Sequence, residues 1–107
     1  MKLDKTVNDD TERLLALIAR RGGRLVWTSD RDGRWYQAQI LVDLFDTTEL
    51  RLRWGGPLRS RGGGMTYCLD GLDGNRIKAL VTRLCKRRRQ HGYTRLPDAA
   101  SRGERLQ

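Results

Sequence analysis

Residues 49–56, read ELRLRWGG, carry the side chains best suited to binding chemistry. Arg51 and Arg53 alternate with Leu50, Leu52 and Trp54. That period of two sends successive side chains of an extended strand to opposite faces. One face is aliphatic and then aromatic, and the other carries guanidiniums. A guanidinium grips phosphate through paired N–H donors and stacks on flat rings. An indole offers a surface for a base or sugar. Gly55, Gly56 and Pro57 end the strand, and the loop beyond adds Arg59 and Arg61 before the glycines at 62–64. A second cationic run, Lys86, Arg87, Arg88 and Arg89, lies downstream. The candidate nucleic-acid-binding set is therefore Arg51, Arg53, Trp54, Arg59, Arg61, Arg87, Arg88 and Arg89. Each has a plainer structural role to set beside this one. Trp54 can finish an apolar strand face, Arg51 and Arg53 can form a solvated one, and the 86–89 run can complement a helix C-terminal dipole. Four consecutive cations go right round a helix, however, so some must face solvent.

Enzyme chemistry finds little support. The single histidine, His91, sits in a basic segment with no carboxylate nearby in sequence to orient it. Cys68 and Cys85 form no CxxC pair, so no metal site is expected, and both read as buried free thiols. The glycines at 62–64 lack the lysine and following helix of a phosphate loop. No cofactor is expected.

Composition points the same way. The chain has 107 residues and a formal charge of +9, from 22 Lys+Arg against 13 Asp+Glu. Lysines stand only at positions 2, 5, 78 and 86, so arginine dominates, and the excess is weighted to the C-terminal end. Such a balance in a small domain favours a nucleic-acid partner. No apolar run is long enough to cross a membrane, and the first residues lack the apolar core of a signal peptide. A cytoplasmic protein is the expectation.

The elements that must position these residues follow from periodicity. Asp9 reads as an N-cap, with Glu12 reaching back, for a helix over 10–21 stopped by Gly22 and Gly23; residues 1–7 read as frayed. The apolar side of this helix, Leu14, Leu15, Leu17 and Ile18, must cover its own sheet or pair with a second copy in a homodimer. Strands are expected over 24–28, 35–42, 49–54 and 65–69, with an Asp-Gly turn at 32–33. Phe45 should tuck under the sheet, and Trp35, Tyr36 and Tyr67 read as core. Ile77, Leu80, Val81 and Leu84 mark the core-facing stripe of a helix over 75–91, with Gly92 beyond its end. Residues 93–96 add a short last strand. The fold class is α+β: an antiparallel sheet of four or five strands, one long helix across it, and an extra N-terminal helix. The organisation is a helical extension at 1–23, a domain at 24–96 and a disordered tail at 97–107.

The ordered set of Trp35-Tyr36 with Gln39, Asp43-Leu44-Phe45, the 50–55 strand, the 62–64 glycines and the closing 86–93 run resembles the WGR domain. This module occurs in poly(ADP-ribose) polymerases and in stand-alone bacterial proteins. The third signature residue, normally arginine, is Gly56 here. The resemblance implies a non-catalytic module that binds double-stranded DNA, with preference for ends or nicks, and gives Trp54 the role of stacking on a terminal sugar. The arginine role cannot pass to Gly56; Arg59 or Arg61 would have to supply it. RNA binding is a variant of the same class. The alternative is an adaptor whose basic face docks an acidic protein.

Overall fold

A computed structural model describes residues 2–56 and 62–97, with side chains from residue 5 onward. The elements run α1 (Lys2–Arg20), β1 (Gly23–Thr28), β2 (Trp35–Val42), β3 (Thr48–Gly55), β4 (Gly63–Cys68), α2 (Gly74–Gln90) and β5 (Thr94–Arg95). The strands form one sheet in the order β4-β3-β2-β1-β5, and every neighbouring pair is antiparallel. This is the α+β architecture expected from the sequence. Among the described residues no helix is long and apolar enough to cross a membrane.

Register fixes which side chains share a face. Leu52 lies opposite Ala38 and Met65, and Trp54 lies opposite Tyr36 and Gly63. Leu25 and Trp27 continue these rows on β1. Together they form the face that meets the helices. Val81, Leu84 and Cys85 of α2 are buried in the same cluster as Leu25, Trp27, Ala38, Ile40, Leu50 and Leu52. Asp73 caps α2, its carboxylate accepting the Arg76 N–H at 2.8 Å. At the other end the Tyr93 N–H donates to the Arg88 carbonyl, and that of Gly92 to Arg89, with Gly92 at φ 84°. That double closure is a Schellman motif, and it turns the chain into β5.

The N-terminal helix departs from expectation. It begins at Lys2, so Asp9 lies inside it rather than capping it. Val7, Asp10, Thr11 and Leu14 are all buried and repeat at i, i+3, i+4 and i+7, which makes them one face. Two of the four are polar, so the stripe is masked in a hydropathy reading. Val7 and Leu14 belong to the core of their own chain, with Leu15, Leu17 and Ile18 packed against it. Of the two partners considered for this helix, its own domain takes the apolar side.

Three aromatic and thiol expectations also change. Phe45 is 85 % exposed and Leu44 99 %. The Asp43 carboxylate accepts the N–H groups of Phe45 and Thr47, at 2.8 and 2.9 Å, and holds both apolar side chains out at the hairpin tip. Trp35 is 39 % exposed because β2's alternation places it on the face opposite Tyr36. Cys68 is exposed, at the end of the edge strand β4, whereas Cys85 is buried. Burial pushes the Cys85 thiol up to about 12. A thiol held protonated by the fold contributes stability below its unfolded value near 9, and that contribution is lost as pH rises from there toward 12. A thiol reagent at mildly alkaline pH is expected to label Cys68 alone, and Cys85 only after denaturant is added. Labelling of both in the folded protein would show that Cys85 is accessible.

Candidate nucleic-acid interface

Between α2 and the β3–β4 side of the sheet lies a groove of about 450 Å³, within the size range of small-ligand sites. The sheet supplies its floor: Tyr36, Leu52, Trp54, Met65 and Tyr67. The helix supplies the wall: Leu80 and Leu84, with Arg83, Arg87 and Arg88. Helical spacing makes these five one side of α2, since 80, 84 and 87 or 88 recur every three or four residues. Among the described residues no carboxylate lines the groove.

Its centre is an aromatic and cationic stack. Tyr36 and Trp54, cross-strand neighbours, lie nearly parallel with ring centroids 5.6 Å apart and planes 9° off. The guanidinium carbon of Arg88 sits 3.9 Å from the Tyr36 ring centroid and 5.4 Å from that of Tyr93. This is cation–π geometry, stronger where water is excluded. Edge-to-face contacts of Trp27 and Tyr93 with Tyr36 support the stack from the core side. Burial raises the Tyr36 hydroxyl's pKa, against the pull of Arg88. Burial likewise lowers that of the Arg88 guanidinium, which still carries its charge at neutral pH. The buried Arg88 Nε has no hydrogen-bond partner among the described residues. A donor so placed needs an acceptor from elsewhere.

The glycines at 63 and 55 belong to this geometry. A Cβ on Gly63 would lie 2.7 Å from the Trp54 indole, and one on Gly55 would lie 3.0 Å from the Trp35 ring. Each tryptophan thus rests on a bare cross-strand backbone, one on each face of the sheet.

The sequence-derived candidates do not form one surface. Trp54, Arg87 and Arg88 come together in the groove. Arg51 and Arg53 share β3 with Trp54 but point to the other face, where Arg51 lies 3.5 Å from Glu49. Arg24, Gln37, Gln39 and Thr66 are their neighbours there by register. Arg89 is turned away: its Nε and Nη2 donate to the Asp10 carboxylate at 2.8 and 3.1 Å. Arg59 and Arg61 lie outside the described residues.

Sequence reasoning missed four contributors. Tyr36 and Tyr67 read as core, and both also line the groove. Arg83 was legible, because it precedes Arg87 by four residues on the same helical face. Arg34 was not. Its Cγ lies 3.1 Å from where a Cβ on Gly56 would stand, so its stem covers that glycine, and its guanidinium pairs with Asp32 at 2.8 Å. Hydrogen bonding from the Arg34 backbone N–H holds the Asp32 carboxyl below its usual pKa.

Among the described residues no three His, Cys, Asp or Glu side chains converge where a metal ion could be held. No family model matches the chain, and no curated protein or solved structure matches it either.

Proposed function

We propose that this chain is a non-catalytic nucleic-acid-binding module, with double-stranded DNA as its ligand and ends or nicks preferred over continuous duplex. The observation that carries this reading is the groove, with its aromatic floor, cationic wall and acid-free lining. A flat ring can stack on the Trp54–Tyr36 pair while phosphates meet Arg83 and Arg87. A base at an end or nick leaves its stack cheaply, whereas one inside a duplex needs a few kcal/mol to do so. That difference is the physical source of the preference. The net charge of +9 supplies long-range attraction. The resemblance of the 50–55 strand and the 86–93 run to the WGR domain supports the same reading. In this proposal Arg34, whose stem lies over Gly56, supplies a cation near the position where that family carries arginine.

The test is fluorescence anisotropy with blunt, nicked and single-stranded DNA and matched RNA at two salt concentrations. Counterion release should make affinity fall linearly in log–log form. Trp54→Ala is expected to leave that slope nearly unchanged and to remove the preference for ends, at about 1–3 kcal/mol. Absence of binding to every nucleic acid at low salt would sink the proposal. The second reading, an adaptor for an acidic protein, then stands, and Gly56 in place of the signature arginine is the observation in its favour.

A further inference from the structure

The β2–β3 hairpin ends in an apolar pair that nothing among the described residues covers. Leu44 and Phe45 are almost wholly solvent-exposed. The turn beneath them is fixed, because Asp43 binds two of its N–H groups and its own N–H donates to the Thr47 carbonyl at 3.0 Å. Arg21 ties it further to α1, bonding the Asp46 carbonyl at 2.7 Å and the Asp46 carboxylate at 2.9 Å. Two large apolar side chains held rigidly in water are a binding device more readily than a neutral surface. Their surroundings are net acidic: Asp43 and Asp46 flank them and Asp70 accepts the adjoining Thr48 N–H, against the Arg21 guanidinium on Asp46. Phosphate and anionic lipid are poor occupants for such a tip. An apolar pocket with a cationic rim fits it.

The chain itself carries that pocket. Leu52, Met65 and Leu80 offer apolar contact in the groove, Met65 being half exposed, and Arg83 and Arg87 are exposed at its rim. The two features cannot meet within one copy. Tyr36 and Trp54 lie at one end of the β2–β3 ladder and the tip at the other, about 25 Å apart at strand rise. We infer that the hairpin tip of one copy docks in the groove of another, with Phe45 on the aromatic floor and Asp43 and Asp46 facing Arg83 and Arg87. The contact is head-to-tail, joining unlike surfaces, and so it propagates unless the rotation closes a ring. It uses the groove assigned above to nucleic acid but does not rest on that assignment.

Sedimentation velocity over a range of protein concentrations at low salt, with no nucleic acid present, tests it. The wild type should show a sedimentation coefficient that rises with concentration. Phe45→Ser, at an exposed position that leaves the melting temperature unchanged, should weaken self-association about tenfold or more. Arg83→Glu with Arg87→Glu should do the same from the other side. The decisive measurement mixes these two variants. Phe45→Ser keeps an intact groove and the charge-reversed variant keeps an intact tip, so the mixture should form a one-to-one dimer and nothing larger. A wild type that stays monomeric at every concentration overturns the inference. So does a mixture that stays monomeric, or a Phe45→Ser variant that associates like the wild type. Failure here leaves DNA binding untouched, since that is read in the anisotropy of the same proteins.

Discussion

Asp10→Ala is expected to lower folding stability by about 3–5 kcal/mol, the scale on which breaking a buried ion pair from one side operates. The Asp10 side chain is fully buried, and it faces Arg89 and Arg95, whose side chains are only 15 % and 11 % exposed. Arg89 donates through two nitrogens, Arg95 through its Nε at 2.8 Å, and the Trp27 indole N–H at 3.2 Å. One carboxylate therefore joins α1, β1, α2 and β5. Without it, two guanidiniums and an indole N–H remain in a low-dielectric site with an acceptor missing, and each unsatisfied donor carries a desolvation penalty. Asp10→Asn keeps part of the acceptor capacity but not the charge, so it should fall between wild type and alanine. Urea denaturation of the three proteins measures this. A loss under about 1 kcal/mol for alanine would mean that water replaces the carboxylate and that the site is less enclosed than its burial indicates.

The second large effect distinguishes the two faces of the sheet. Arg83→Ala with Arg87→Ala removes two groove cations and should reduce the log–log salt slope of DNA binding by about 2, or roughly 60-fold in affinity near 0.1 M salt. Both side chains are exposed and form no described ion pair, so stability should change by no more than about 0.5 kcal/mol. Arg51→Ala with Arg53→Ala removes the same charge from the opposite face and should leave the slope near that of the wild type. Net charge falls equally in the two double variants, so a difference between them reports location rather than overall field. If the second pair carries the slope and the first does not, nucleic acid lies on the open sheet face and the groove has another occupant.

Periodicity made most of the frame legible. The β2 and β3 alternations and the α2 stripe are each written in apolar residues, so their buried faces follow directly, as does the glycine closure at Gly92. What was hidden has physical causes. The face of α1 uses Asp10 and Thr11 where a hydropathy pattern needs apolar residues, so the stripe breaks ahead of Leu14, Val7 stands isolated, and residues 1–7 read as frayed. Phe45 violates the ordinary economy of burial because Asp43 organises a turn that projects it. The candidate site was half legible. Alternation already separates Trp54 from Arg51 and Arg53, but only the crossing of α2 over the sheet decides which cations join the indole. Arg87 and Arg88 do, and Arg89, the next residue along, is carried round the helix to Asp10.

The Asp10 junction also dictates an order of assembly. Its cationic ligands lie 79 and 85 residues further along the chain. Translation proceeds from the N-terminus at about 5–20 residues per second, so Asp10 emerges from the ribosome several seconds before Arg95 exists. Through that interval the carboxylate is a charge with no cation to meet it, and only the Trp27 indole N–H, 17 residues on, to bond it. The β1–β2 and β2–β3 hairpins need only nearby partners and can pair as they appear. The N-terminal helix is then made before the sheet and is among the last elements to dock, and a chain that ends before Arg95 should leave that helix more open to proteases.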